Sequence, residues 1–110
     1  MVATALDAMA AAFPQERREL LRQRQAVIAV NSELQERELL KLASLASALA
    51  ESSRQRGITD PTASLIAETG IAVFKVAFAR WTGETGQRKL SQLLRESLDE
   101  LKAVQRVHLR

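Results

Sequence analysis

Residues Ser64–Thr82 read SLIAETGIAVFKVAFARWT, and the spacing of the polar residues in this stretch decides how the chain must pack. Glu68, Lys75 and Thr82 recur at intervals of seven and form one narrow line along a helix. Leu65, Ile66, Ile71, Val73, Phe74, Val76, Phe78 and Trp81 fill most of the remaining circumference. A surface helix of a globular protein has one apolar stripe and a broad polar face. A helix apolar over most of its girth needs cover on two sides. The pattern therefore predicts a helix that faces its own core on one side and a second copy of the chain on the other. The competing reading is the central helix of a monomer. Gly70, Ala72, Ala77 and Ala79 permit close approach of a neighbouring helix. A mid-helix glycine costs about 1 kcal/mol relative to alanine, so Gly70 suggests a packing reason.

Working outward, Asp60-Pro61 supplies a capping carboxylate followed by proline at the first helical position, and Gly83 stops the helix. Pro14, Asn31-Ser32, Gly57 and Gly86 divide the rest. The result is an all-α, five-helix bundle-like domain with helices over about 2–13, 14–30, 32–56, 61–82 and 87–106. In the first, Leu6, Met9, Ala10 and Phe13 share a face. In the second, a charged front half precedes Ala26-Val27-Ile28-Ala29-Val30, which is expected in the core, and Pro14 is expected in its first turn. In the third, Ser32-Glu33-Leu34-Gln35 reads as a capping box. Its buried stripe is Leu39, Leu42, Ala43, Ala46, Leu49 and Ala50, and Gly57 follows its end. The fifth carries Leu90, Leu93, Leu94, Leu98, Leu101 and Val104. The short hinge from Gly83 to Gly86 makes the last two helices antiparallel neighbours. Paired with those of a second copy, they would form an isologous four-helix interface. Its expected residues are Ile66, Gly70, Val73, Ala77, Trp81, Leu90, Leu94, Leu98 and Leu101.

Composition narrows the function classes. The hydrophobic share of 46% and charged share of 26% are those of a folded globular chain, which excludes disorder as the main state. There is no cysteine, hence no disulfide, thiolate metal site or cysteine nucleophile, and the one histidine, His108, allows no multi-histidine metal site. The excess of 16 basic over 13 acidic residues is too small to mark a dedicated nucleic-acid binder. No charge-free apolar run is long enough to span a membrane, and no targeting segment is evident, so a cytoplasmic location and no membrane partner are expected.

The order of a charged helix (ERRELLRQRQAVIAV), an Asn-start helix (NSELQERELLKLASLASALAESSRQRG), a helix ending in Phe74, Phe78 and Trp81, and a Leu-rich closing helix (KLSQLLRESLDELKAV) resembles the C-terminal regulatory domain of TetR-family transcriptional regulators, from about Leu6 to Val104. Helix order, lengths and caps carry the resemblance. It implies that residues 1–110 are one effector-binding and dimerisation domain, a homodimer built on its last two helices. It also implies a cavity among the earlier helices for a small, mostly apolar effector. In such repressors an N-terminal helix-turn-helix domain grips DNA when effector is absent. No such pattern precedes Leu6, so DNA binding is not assigned to these residues.

On that resemblance the effector pocket is expected from Met9, Phe13, Arg24, Ile28, Leu42, Leu45, Phe74 and Phe78, with Ser44, Ser47 and Thr69 as further polar contacts. The same apolar residues at helical spacing are more often plain core. Arg17, Arg18, Arg22 and Arg24 are interleaved with Glu16 and Glu19 and lack aromatic neighbours, which describes a solvated face better than a phosphate site. The carboxylate pairs Glu36/Glu38, Glu96/Glu100 and Asp99/Glu100 sit beside Arg37, Arg95 or Lys102, as solubilising helix faces do. No nucleophile–base set, phosphate loop or dinucleotide fingerprint occurs. Neither an enzyme, a metal nor a cofactor is expected. The alternative function is a helical interaction or adaptor module without a small-molecule pocket, and direct nucleic-acid binding ranks behind it.

Overall fold

The computed structural model describes residues 2–83 and 87–108 and is all-helical there. The helices are α1 (Val2–Ala11), α2 (Arg18–Ala29), α3 (Ser32–Gln55), α4 (Thr62–Gly83) and α5 (Leu90–His108), with a 3-10 turn at Gln15–Arg17. Gly86, part of the expected hinge, and the side chain of His108 lie outside the described residues.

Local chemistry sets the boundaries. α1 closes two residues early because Ala12 N–H and Phe13 N–H bond the carbonyls of Met9 and Ala10, tightening the last turn. Pro14 is then extended (φ −66°, ψ 155°) and precedes the 3-10 turn, so it is not in the first turn of α2 as expected. At α3, Asn31 Oδ1 accepts from Leu34 N–H at 3.2 Å. Gln35 does not complete a capping box. Its Nε2 donates back to the carbonyls of Ile28 (3.2 Å) and Ala29 (2.9 Å), closing the end of α2. Past α3, Gly57 has φ +92°, Gly57 N–H bonds Arg54 O, and Ile58 N–H bonds Ser53 O. This is the Schellman arrangement, and its left-handed position suits glycine. Asp60 Oδ1 then accepts from Ser64 N–H (3.2 Å) and Ser64 Oγ (2.9 Å) at the head of α4. α5 begins at Leu90, three residues later than expected.

α4 is the axis of the bundle. It packs most extensively on α3 and α5 and also touches α1 and α2. Val73, Phe74, Ala77 and Trp81 join Leu90, Leu93, Leu94 and Leu98 of α5, Leu6 of α1 and Leu21 of α2 in one core. Within one chain α4 is thus flanked by α3 and α5, while the side that carries Leu65, Ala72, Val76 and Ala79 stays exposed. By length and composition α4 also passes as a membrane-crossing helix, with 22 residues and a mean hydropathy of 1.4 over its most apolar window. The sequence reading, which required a charge-free run, missed this. A bundle core helix has the same composition.

Several expected core positions are exposed. In the tail of α2 only Ile28 is buried, while Val27 and Val30 (86% exposed) face outward. The helix is flanked on one side only, so a wholly apolar run cannot all be covered. Leu39 and Ala43 of α3 and Val104 of α5 are likewise exposed, each lying off the face its neighbours bury. Thr82, expected on the polar line, is buried and satisfied by donating to Phe78 O at 3.0 Å.

Candidate functional site

A cavity of about 600 Å³ lies between α1, α3 and α4. Its walls follow from small residues on two helices. On α1, Ala5, Ala8 and Ala12 share one face with Thr4, Met9 and Phe13. On α4, Gly70 lies between Ile66 and Phe74. α3 contributes the long wall, Leu42, Leu45 and Leu49, with Glu38 and Lys41 towards its start and Ser52, Ser53 and Arg56 towards its end. An alanine or glycine keeps the backbone in helical register while leaving the facing volume empty. This volume falls within the usual range for small-molecule sites.

The aromatic side chains wall off the end nearest the core. Phe13 lies 5.8 Å from Phe74 and 5.4 Å from Phe78, centroid to centroid, and Phe78 continues the series to Trp81 at 5.7 Å. Trp81 has no exposed surface; its Nε1 donates to Gln15 Oε1 at 2.9 Å, and its carbonyl accepts from Arg18 Nε at 2.7 Å. The cavity wall is thereby tied through buried aromatics to the turn that starts α2.

Five of the eight expected pocket residues come together on the lining: Met9, Phe13, Leu42, Leu45 and Phe74. Phe78 stands behind the wall, packed on Phe13 and Phe74. Ile28 is buried away from the cavity, and Arg24 is on the surface, 3.6 Å from Glu38. Ser44 and Ser47 are exposed, Thr69 is half-buried, and none of the three lines the cavity. The residues missed are Thr4, the α1 alanines, Leu49, Ile66, Gly70 and the polar set at both ends of α3. The alanines had a legible signal, since positions 5, 8 and 12 repeat small residues at helical spacing.

The expected interface residues lie elsewhere than on a free surface. Val73, Ala77, Trp81, Leu90, Leu94 and Leu98 are core within one chain, Leu101 packs against that core, and Ile66 and Gly70 line the cavity. Their i, i+3, i+4 spacing marks a buried face, and one chain suffices to bury it. What α4 turns outward is a different stripe, Leu65, Ala72, Val76 and Ala79.

Charge is arranged unevenly. At the Glu38 end, Glu38 Oε1 accepts from Lys41 Nζ at 3.4 Å and lies 3.6 Å from Arg24. Beyond the other end, Arg54 binds both Asp60 (3.0 Å) and Glu51 (3.2 Å). The Arg54 guanidinium, helped by Ser64, holds the Asp60 carboxyl below its ordinary range, and Asp60 and Glu51 raise Arg54 in return. No group of three or more His, Cys, Asp or Glu able to hold a metal occurs among the described residues.

The described residues thus form an all-helical domain built on a central helix, with an apolar cavity of ligand size to one side. A family model, TetR_C_14, described as the MftR C-terminal domain, matches residues 1–106. The chain belongs to this family of TetR-regulator C-terminal domains, a regulatory and non-enzymatic kind of domain concerned in general with effector binding and dimerisation. No curated protein matches the sequence significantly.

Proposed function

We propose that this chain is a single regulatory domain of a TetR-type repressor, working in the cytoplasm, that binds a small apolar effector between α1, α3 and α4. The observation that carries the reading is the cavity of about 600 Å³, walled by alanines, leucines and phenylalanines, in a chain of this family. Effector binding would favour one arrangement of α1, α3 and α4 and so bias DNA binding by a separate helix-turn-helix head. A thermal-shift screen of small apolar compounds tests it. A ligand at 100 times its dissociation constant stabilises by about 2.7 kcal/mol, upwards of about 10 °C for a domain of this size. Gly70→Leu, which places a side chain beside Leu49 in the cavity, should abolish the shift. Shifts that persist unchanged in that variant would remove the cavity from the reading.

The homodimer belongs to the same proposal, with the outward stripe of α4 as its centre. Support comes from the exposed Leu65 and Val76 with Ala72 and Ala79 between and beyond them, an apolar strip on a long helix that shares its face with the exposed Glu68 and Lys75. The adaptor reading draws on the exposed Leu20, Val27, Val30, Leu39 and Leu40 of α2 and α3. A domain that binds no apolar ligand but retains a protein partner would favour it.

A further inference from the structure

The charges on the cavity rim are not balanced, and the imbalance is located. Two cations and one carboxylate line the cavity: Lys41, Arg56 and Glu38. Glu38 is already shared, 3.4 Å from Lys41 and 3.6 Å from Arg24. Both cations at that end are therefore engaged by Glu38, whose carboxylate would repel an incoming anion. Arg56 is placed differently. It stands 15 residues further along α3 than Lys41, about 22 Å away at helical rise. The carboxylates nearest to it in sequence, Glu51 and Asp60, are both held by Arg54. Among the described residues the Arg56 guanidinium makes no ion pair or side-chain hydrogen bond. The hydroxyl-bearing Ser52 and Ser53 line the same end, and Ser53 is buried.

A long apolar trough with an uncommitted guanidinium at one end is complementary to an elongated molecule with a single acidic terminus. The guanidinium fork matches the two oxygens of a carboxylate, which makes a bidentate, charge-assisted pairing. The apolar body would run along Leu49, Leu45 and Leu42 towards Phe13 and Phe74. Resting on the effector reading above, we infer that the cavity takes a monoanionic amphiphile, an unbranched carboxylic acid in its ionised form, and that Arg56 is the residue that selects the acid over the corresponding neutral compound.

The test uses decanoate and decanol, which share a chain length and differ in charge, titrated into the whole chain with Trp81 fluorescence and melting temperature as readouts. Decanoate is expected to bind at least about tenfold more tightly than decanol, the equivalent of about 1.4 kcal/mol. Arg56→Gln should bring the acid down to the level of the alcohol while leaving the alcohol unchanged, and Lys41→Gln should preserve the preference. Binding of neither compound would overturn the cavity reading itself. Equal binding of both to the wild-type protein would overturn the acid selection and leave the cavity reading standing. A preference that survives Arg56→Gln and disappears in Lys41→Gln would place the anionic head at the opposite end and overturn the role of Arg56. Circular dichroism melts of both variants, neither of which alters a buried side chain, confirm that folding is retained.

Discussion

Asp60 illustrates how one side chain can join two elements. Its carboxylate caps α4 through Ser64 and pairs with Arg54 near the end of α3, so the α3–α4 turn is closed by polar contacts around Gly57. Its pKa is lowered in the folded chain, chiefly by Arg54 and then by Ser64. A carboxyl with a depressed folded pKa contributes stability above its unfolded pKa, about 4, and loses it as pH falls through the folded value. Asp60→Asn should therefore melt lower than wild type at neutral pH, and the gap should close as pH is lowered below about 4. A gap that is constant across that range would show that the carboxylate charge contributes nothing. Gln35 belongs to the same scale. The sequence pattern places it in a capping box, but its amide reaches back to two carbonyls of α2. An Asn31 cap already satisfies Leu34 N–H, and the carbonyls ending α2, of which Ile28 O also accepts from Asn31 N–H, are within reach of the Gln35 amide. Such a choice is invisible in local sequence because both outcomes use the same residue types.

At the scale of the element, α4 presents neighbouring positions with opposite fates. Ala77 has no exposed surface, whereas Val76 is 57% exposed. Ala77→Glu would bury an unpaired carboxylate against Trp81 and the α5 leucines, which should abolish cooperative unfolding or yield insoluble protein. Val76→Glu should leave helicity and melting nearly unchanged. If the outward stripe of α4 carries the dimer, Val76→Glu should also convert a dimer to monomer in sedimentation equilibrium. An unaltered dimer in this variant would move the interface off the α4 stripe. The number and order of helices were legible because breakers and caps are local signals. The outward side of α4 was marked by Glu68 and Lys75, both exposed, although Thr82 on the same line is buried; which helices cover the remaining girth was not legible, because it is apolar nearly all round. The tail of α2 failed for a related reason: five apolar residues in a row specify no face, and the structure buries only Ile28 among them.

For the whole molecule, the cavity is the feature with consequences. It exists because α1 packs on α4 and α5 and faces α3 across a gap lined by small side chains, and Gly70 of α4 adds to the open volume. A methyl group added at Gly70 would meet Leu49 Cδ1 at 3.9 Å, an ordinary van der Waals contact, with no clash. The glycine is therefore not required for close helix packing, contrary to the reading of it as an approach point. Gly70→Ala should stabilise the chain by about 0.5–1 kcal/mol through helix propensity, raising the melting temperature by about 2–8 °C. A drop in melting temperature would mean that the glycine meets a demand of the fold that the present packing does not reveal. If the larger residue stabilises while weakening decanoate binding, Gly70 is retained for the volume it leaves free.

Length, the absence of cysteine, the caps at Asn31 and Asp60, and the glycine after α3 determined by themselves that this is an all-helical chain with its elements in this order. These are short-range effects, in which a side chain satisfies backbone groups three or four residues away. The tertiary structure alone decided which helices pack on α4, that Met9, Phe13, Leu42, Leu45 and Phe74 surround empty space, and that Arg56 rather than Arg24 stands at that space. Apolar periodicity records that a face is buried. What buries it, and whether the facing volume is filled, depends on the side chains of helices distant in sequence.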